Sequence, residues 1–185
     1  AQRLLWERQD KRAVPALVNC LMHPVPQARL HALYTLAGLD ALEPAHLQLV
    51  LRDDKHPRVR AHAVGLAERF LKEKNSVALI DALLPLADDA SPHVRFQLAF
   101  TLGETDDPRA ITGLARLASD GQNGPEVQTA LLSSIGGSAD RLAALLLAAV
   151  GVAAILVWAG VIERQPTPTP APVALPAATP IPADA

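Results

Sequence analysis

The chain has 185 residues, half of them apolar, and its 17 lysines and arginines against 19 aspartates and glutamates leave a formal net charge of −2. Only 3% of the residues are aromatic, and alanine and leucine dominate the apolar fraction, which favours helices over sheets. The near-balanced charge argues against a nucleic-acid-binding surface. The only cysteine is Cys20, and no Cys-x-x-Cys-His motif is present to attach a haem.

A four-residue pattern recurs along residues 1–136 at steps of 31, 35 and 33 residues. Its copies are Pro26-Gln27-Ala28-Arg29, Pro57-Arg58-Val59-Arg60, Pro92-His93-Val94-Arg95 and Pro125-Glu126-Val127-Gln128. Each anchor proline precedes an apolar segment with helical spacing, and proline suits the first turn of a helix. We expect left-handed C-terminal caps at Gly38, Gly103 and Gly136. In this register the residues expected to be buried are Leu36, Leu66, Leu102 and Ile135.

A second kind of helix follows the first. The segments "DKRAVPALVNCL" (10–21) and "DPRAITGLARLA" (107–118) share an aspartate, an Arg-Ala pair, a β-branched residue and a leucine at identical offsets. Asp10 and Asp107 lie where a carboxylate would accept N–H bonds at a helix start. One such hairpin cannot bury its apolar face alone. The sequence therefore predicts an all-α, right-handed α-α superhelix, a solenoid of four to five hairpins over residues 1–140.

The order Pro-x-Val-Arg, an apolar helix ending in Leu-Gly, and Asp-x-Arg-Ala-x-x-x-Leu-x-x-Leu resembles the HEAT repeat, specifically the short HEAT-like type of phycobilin lyase subunits. The segments "AQRLLWERQDKRAVPAL", "ARLHALYTLAGLDAL" and "VRFQLAFTLGETDDPRA" resemble the HEAT segment of exported bacterial membrane-bound dehydrogenase-like proteins that carry a haem-binding cytochrome c domain. The resemblance implies a bacterial repeat protein. It leaves two alternatives open, an accessory segment of a haem-dependent dehydrogenase-like protein and a bilin-lyase-like enzyme.

The segment from Leu142 to Ile162 has 21 residues without a charge, between Arg141 and Glu163-Arg164. This length predicts a single transmembrane helix over residues 141–163 that tethers the repeats to a membrane. The alternative is that residues 140–149 form the second helix of a fifth repeat and the remainder an apolar end cap. The side of the membrane that carries the repeats, cytoplasmic or exported, stays open. Residues 164–185 form a Pro/Thr-rich tail, predicted to be disordered or polyproline-like.

Arginines recur at the starts of the first helices, where a cation opposes the helix dipole. We expect each to be held by an acid from a turn, in a structural ladder between repeats. The ladder is predicted to contain Arg29, Arg60, Arg95 and Asp107. The candidate acids are Asp53, Asp54, Asp88, Asp89 and the pair Asp106-Asp107.

His31, His62 and Gln97 occupy one position, two residues after each arginine, and form a possible partner-facing polar column. Stacked helices lie about 8–10 Å apart, too far for two imidazoles to share a zinc ion, so hydrogen bonds between repeats are expected instead. No nucleophile lies beside a base, and no phosphate-binding loop occurs. The sequence therefore predicts a non-catalytic scaffold without metal or cofactor, whose curved face binds a protein partner.

Overall fold

The computed structural model describes residues 2–72, 76–121 and 123–135, and these residues form helices without any strand. The α-helices are α1 Gln2–Arg8, α2 Val14–Cys20, α3 Pro26–Gly38, α4 Pro44–Asp53, α5 Pro57–Ala67, α6 Val77–Leu83, α7 Pro92–Gly103, α8 Pro108–Ser119 and α9 Pro125–Ile135. Three short 3-10 segments are Lys11–Ala13, Glu68–Phe70 and Leu84–Asp88. The predicted all-α class is confirmed for the described part of the chain.

The anchor prolines begin helices, as the sequence predicts. Pro26, Pro57, Pro92 and Pro125 are the first residues of α3, α5, α7 and α9. The residue before a proline is kept out of the helical conformation by its ring, and Val25, for example, is extended with ψ 120°. The start of each first helix is therefore set locally, before any tertiary contact forms.

The helices pack in two layers. In the first layer α1, α3, α5, α7 and α9 pack on one another in succession, while in the second α4 packs on α6, and α8 packs on the 3-10 segment Leu84–Asp88. The layers meet where α2 packs on α3, α4 on α5, and α7 on α8. The described ranges thus contain four hairpins, α1–α2 to α7–α8, and one further first helix, α9. This arrangement is the stack of hairpins that the repeat period predicts.

The core register is right for two of the leucines named from the sequence and wrong for a third. Leu36 and Leu102 are 0% and 1% exposed. Leu66 is only half-buried, and Ala67 is the residue with 0% exposure. Ala67, ten residues after Pro57, is the true equivalent of Leu36, which lies ten residues after Pro26. The side chain of Ile135 lies outside what the structure describes.

The predicted glycine caps are wrong at two positions, and Gly136 lies outside the described residues. Gly38 and Gly103 are the last helical residues of α3 and α7, and neither has a positive φ. The left-handed residue after α3 is Asp40, with φ 51°, and the Ala41 N–H closes the helix on the Leu36 carbonyl at 2.9 Å. The two glycines instead allow close approach of neighbouring first helices, as shown below.

Within the described ranges, no helix has the length and apolar character needed to cross a membrane. The predicted span from Leu142 to Ile162 and the tail 164–185 lie outside the described residues.

Candidate protein-binding surface

Arginines at the starts of first helices bind acids in the loop that precedes the next first helix. Arg29 of α3 donates Nε and Nη2 to the Asp54 carboxylate at 2.6 and 2.7 Å. Arg60 of α5 repeats this geometry on Asp89 at 2.7 and 2.8 Å. Two parallel N–H···O bonds are the strongest arrangement of a guanidinium and a carboxylate. We refer to each such contact as a rung, since it ties one repeat to the next.

Each of these aspartates also organises the helix that follows it. Asp54 Oδ1 accepts the His56 N–H at 2.8 Å, just before α5 begins, and the Asp54 carbonyl accepts Nη1 of Arg60 at 2.8 Å. Asp89 makes the same contacts one repeat later, at the start of α7. The rungs are therefore continuous, because the acid that ends one rung positions the arginine of the next.

The rungs are largely removed from water. The side chains of Arg29 and Asp54 are 13% and 4% exposed, and those of Arg60 and Asp89 are 15% and 5% exposed. The hydrogen bond to Asp54 raises the pKa of the Arg29 guanidinium, although burial acts in the opposite direction. Because these charges are largely buried and paired with each other, the rungs serve to hold the repeats in register rather than to bind a ligand.

The last rung differs from the others in its acceptor. Arg95 of α7 donates Nε to Asn123 Oδ1 at 2.7 Å, and the Asp120 carboxylate lies 3.8 Å from the same nitrogen. The Asn123 amide in turn donates to the Leu117 carbonyl at 2.6 Å. An asparagine can accept and donate at once, which an aspartate cannot. The last rung therefore combines a neutral acceptor, Asn123, with a longer ion pair to Asp120, both between α8 and α9.

Asp107, which the sequence places in the ladder, lies in a different network. Its carboxylate caps α8 by accepting the Arg109 N–H at 2.9 Å and the Arg109 Nη2 at 2.8 Å. Arg109 also binds Asp81 of α6, and Arg116 binds Asp88 at 2.7 Å. The physical reason is position: Asp107 lies in the turn within a hairpin, whereas the rungs lie in loops between hairpins. The Arg109 hydrogen bond lowers the pKa of Asp107.

The polar column of His31, His62 and Gln97 joins each first helix to the one before it. Their partners are Gln2 Oε1 at 2.9 Å, Tyr34 Oη at 2.8 Å and Glu68 Oε1 at 3.2 Å, respectively. These three hydrogen bonds lie at the exposed or part-buried surface of the stack. The column therefore lies on the outer side of the first layer, where it links α1 to α3, α3 to α5 and the end of α5 to α7.

Aromatic rings lie beside this column. Tyr34 is 41% exposed, and its ring stands edge-on to the His62 imidazole with centroids 5.6 Å apart. Phe96 and Phe100 form a similar pair at 5.0 Å and are half-buried. Tyr34 and Phe100 share one register position, eight residues after the anchor proline, and this shared position is a signal that could have identified them from the sequence. We define the outer face as His31, Tyr34, His62, Phe96, Gln97 and Phe100.

The outer face continues into a cleft between α1 and α3. Trp6 is 60% exposed and flanks, with Tyr34, an opening of about 370 Å³ that Gln2 and Thr35 also line. A Cβ on Gly38 would lie 3.0 Å from Trp6 Cδ1, so the glycine makes room for the indole. Sequence reasoning missed Trp6, which belongs to no repeated motif, and it did not use the register position that Tyr34 shares with Phe100.

A second cleft of about 290 Å³ lies beside the first rung. Its wall combines apolar side chains, among them Met22 and Leu49, with Arg29 and Asp54. Arg29 and Asp54 already bind each other there, and His23, Asp53 and Lys55 also line the wall. No Trp, Tyr or Phe side chain lines this cleft, although such rings are enriched at the centres of protein interfaces. The outer face is the better candidate for recognition.

Two histidines and the cysteine are engaged in structural contacts. His23 Nδ1 accepts the Val25 N–H at 3.1 Å, and His46 Nδ1 accepts the Glu43 N–H at 3.1 Å. Cys20 is half-buried against the core. Among the described residues, no group of three or more His, Cys, Asp or Glu side chains is placed to hold a metal ion.

A two-layer stack of helical hairpins tied by rungs defines a repeat solenoid, a class whose successive units present an extended binding surface. The sequence profile of the HEAT repeats matches residues 44–136, half of the chain, so the chain belongs to the HEAT repeat family. The structure continues the same stacking N-terminal to the match, through α1, α2 and α3. No curated protein and no solved structure matches the chain.

Proposed function

We propose that the protein is a non-catalytic scaffold that binds a protein partner through the outer face. The observation that carries the proposal is the exposed pair of Trp6 and Tyr34 around an open cleft, next to the His62 imidazole. Tryptophan and tyrosine are the residues most often found at the energetic centre of protein interfaces, because a large apolar ring is combined with a polar tip.

The exposed side of the second layer is less suited than the outer face to binding a protein partner. Its charges bind one another: Arg52 binds Asp53 at 2.9 Å, Arg109 binds Asp81, and Arg116 binds Asp88. Interface cores are depleted of charged side chains and enriched in aromatic ones. The outer face has that composition, and the second layer has the opposite one.

The mechanism of such a scaffold is geometric. The rungs fix the spacing of the first helices, and the polar column links their outer sides by hydrogen bonds at 2.8–3.2 Å. Side chains from α1, α3, α5 and α7 are thereby held in one arrangement before the partner arrives. A preorganised surface loses less conformational entropy on binding, which favours affinity.

Site-specific photocrosslinking tests this proposal. A benzophenone amino acid is placed at Arg58, exposed on α5 next to the outer face, and in a matched variant at Thr112, exposed on α8 in the second layer. Each variant is expressed in cells of the source organism and irradiated. We expect a discrete crosslinked product at position 58 and none at position 112.

The product at position 58 must also depend on the aromatic surface. Combining the photocrosslinker with Tyr34→Glu should remove the product, whereas combining it with Arg52→Glu on the second layer should not. A product at position 112 alone, or a product at position 58 that survives Tyr34→Glu, contradicts the proposal.

Two finer proposals rest on the sequence alone. A membrane tether at Leu142–Ile162 is supported by its 21 uncharged residues, and its test is whether the full chain resists carbonate extraction from membranes. The resemblance to phycobilin lyase subunits and to exported dehydrogenase-like proteins supports a tetrapyrrole ligand. An absorbance shift of a bilin or haem on titration with the purified chain tests that possibility.

A further inference from the structure

The loop before α3 carries a histidine where the two following loops carry the acids of the rungs. His23 lies three residues before its anchor proline, the position that Asp54 and Asp89 hold in the next two repeats. His23 Nδ1 accepts the N–H two residues ahead at 3.1 Å, and the His23 carbonyl accepts Nη1 of Arg29 at 2.7 Å. Asp54 accepts both kinds of bond at 2.8 Å. His23 is therefore the structural equivalent of a rung acid.

This histidine reverses the hydrogen-bonding character of the position. A carboxylate only accepts hydrogen bonds, and Asp54 and Asp89 each accept two from an arginine. In His23, Nδ1 is the acceptor of the Val25 N–H, so the proton of the neutral imidazole lies on Nε2. The described residues supply no acceptor for that proton. The position thus offers a donor, and His23 lines the cleft of about 290 Å³ beside the first rung.

The charges around this cleft leave one cation without a counter-charge. The rung in its wall is a paired guanidinium and carboxylate, and Asp53 is paired with Arg52 at 2.9 Å. Lys55 also lines the cleft; it is exposed and makes no ion pair with a described residue. Because the other charges are paired, the Lys55 ammonium and the Nε2–H of His23 remain to bind an anion.

The rest of the wall is apolar and encloses a small volume. It is formed by Leu21, Met22, Leu49 and Val50. Leu21 and Val50 are each 2% exposed, whereas Met22 is 65% exposed, and a methionine adapts its shape readily to a ligand. The volume of about 290 Å³ corresponds to about ten water-sized groups. The cleft therefore suits a small molecule with a short hydrocarbon chain.

The equivalent cleft at the last rung has the opposite chemistry. Its lining residues are Asp88, Asp89, Ala90, Arg95 and Asp120. Asp89 stands there at the position of His23, so an acceptor replaces the donor. An anion would be repelled by the aspartates of that wall. The capacity to bind an anion is therefore a property of the first cleft and not of every repeat.

We propose that the cleft beside the first rung binds a small amphiphilic carboxylate. Its carboxylate accepts hydrogen bonds from His23 Nε2 and the Lys55 ammonium, and its hydrocarbon chain lies against Leu21, Met22 and Leu49. Hydrogen bonds to charged groups are roughly twice as strong as neutral ones, so the head group decides the specificity. The cleft shares no residue with the outer face or with the cleft between α1 and α3, so this proposal does not depend on the protein partner.

NMR of a single methyl group tests the proposal. Met22 is the only methionine of the chain, so its methyl group reports on the cleft wall without overlap. The purified full chain, isotopically labelled at the methionine methyl, is titrated with octanoate, octan-1-ol and acetate. We expect a saturable shift with octanoate and an affinity at least about tenfold higher than for octan-1-ol, which lacks the charge. Acetate, which lacks the chain, should bind more weakly than octanoate.

Two substitutions separate binding of the head group from apolar contact. His23→Asp keeps an acceptor for the loop N–H, as the aspartates of the later repeats do, but replaces the donor by a carboxylate. Lys55→Gln removes the positive charge. Each should weaken octanoate binding at least about tenfold, while octan-1-ol still shifts the Met22 signal as before, which shows that the cleft is intact. Lys11→Gln, exposed on the first hairpin and outside the cleft, should leave octanoate binding unchanged.

The other outcomes overturn the proposal. Equal affinities for octanoate and octan-1-ol show that the cleft makes apolar contact only. Octanoate binding that survives both His23→Asp and Lys55→Gln shows that the carboxylate lies elsewhere. A Met22 signal that stays unchanged, or moves only where octanoate forms micelles, shows that the cleft does not bind the carboxylate. A Met22 signal that shifts with protein concentration in the absence of ligand shows that a second copy of the chain occupies the cleft.

Discussion

Arg60 and Asp89 form a two-point ion pair across a repeat boundary, with Nε–Oδ2 and Nη2–Oδ1 distances of 2.7 and 2.8 Å. Asp89 also accepts the Ser91 N–H at 2.8 Å, and Arg60 also donates to the Asp54 carbonyl. Both side chains therefore have partners on more than one element, so the loss of one side chain leaves several buried groups unsatisfied.

The first prediction is that Asp89→Ala destabilises the protein by about 3–5 kcal/mol, because a buried guanidinium loses its counter-charge. Arg60→Lys should also destabilise, since an ammonium cannot make two parallel bonds. Urea unfolding followed by circular dichroism measures both. Asp53→Ala is the control: its pair with Arg52 is exposed, so its curve should nearly overlay the unmodified one. Equal effects of Asp89→Ala and Asp53→Ala would contradict the ladder.

The second prediction concerns the close approach of α7 and α9. A Cβ on Gly103 would lie 2.7 Å from Ser134 Cβ and 2.9 Å from its Cα, and the backbone cannot yield as a flexible side chain would. Gly103→Ala should therefore destabilise by about 1–3 kcal/mol, despite the better helix propensity of alanine. Gly121→Ala meets nothing within 4 Å and should stay within about 0.5 kcal/mol of the unmodified chain. The melting temperatures of the two variants show whether the steric clash or the helix propensity of alanine has the larger effect.

The third prediction tests the core register. Leu102 is 1% exposed, and Leu102→Ala should cost about 2–5 kcal/mol through lost burial and the cavity left behind. Leu4 is 54% exposed on α1, and Leu4→Ala should change the unfolding free energy far less. If the melting temperature of Leu102→Ala equals that of the unmodified chain, the register assigned to α7 is incorrect.

The fourth prediction is a pH dependence at the start of α8. The Arg109 hydrogen bond lowers the pKa of Asp107 below its ordinary value of 3.8, so the native state favours the ionised carboxylate. Its contribution to stability is fully present above the unfolded pKa and is lost as the pH falls through the lowered, native pKa. Asp107→Asn keeps a neutral cap but removes the charge. The stability difference between the two proteins should be largest at neutral pH and should shrink below pH 3.8.

The pKa of a single carboxyl group can be measured directly from its NMR chemical shift as the pH is varied. Asp107 should titrate below 3.8, and Asp10, which binds Arg12 through its side chain and backbone, should titrate at about 2. In Arg109→Gln the Asp107 midpoint should return toward 3.8 while that of Asp10 stays low. An unchanged Asp107 midpoint in Arg109→Gln would show that the shift has another cause.

The local features of the stack could be predicted because they depend on neighbours in the chain. Pro92 begins α7 through the fixed φ of its ring, and Asp107 caps α8 through an N–H two residues away. The repeat period followed from the same local signals. These features can be predicted without knowing which helices pack against each other.

The sequence narrowed the set of acids that each arginine could bind, but it did not determine which one is bound. Each arginine had adjacent acids within reach, and Arg29 binds Asp54 whereas the neighbouring Asp53 binds Arg52. Leu66 and Ala67 are consecutive apolar residues, and a helix turns about 100° between them, so one residue of register separates a half-buried side chain from a core one.

By itself the sequence determined the helical class, the repeat length, the helix starts and the arginines that need acids, because proline geometry, capping and helical periodicity act within one hairpin. Only the tertiary structure showed that Ser134 packs closely against Gly103 and that Tyr34 forms a hydrogen bond with His62. It also showed that Trp6 and Tyr34 line a common cleft. Those relationships join residues 28 to 32 positions apart on adjacent helices. They depend on the distance and rotation between repeats, which packing sets and no local pattern encodes.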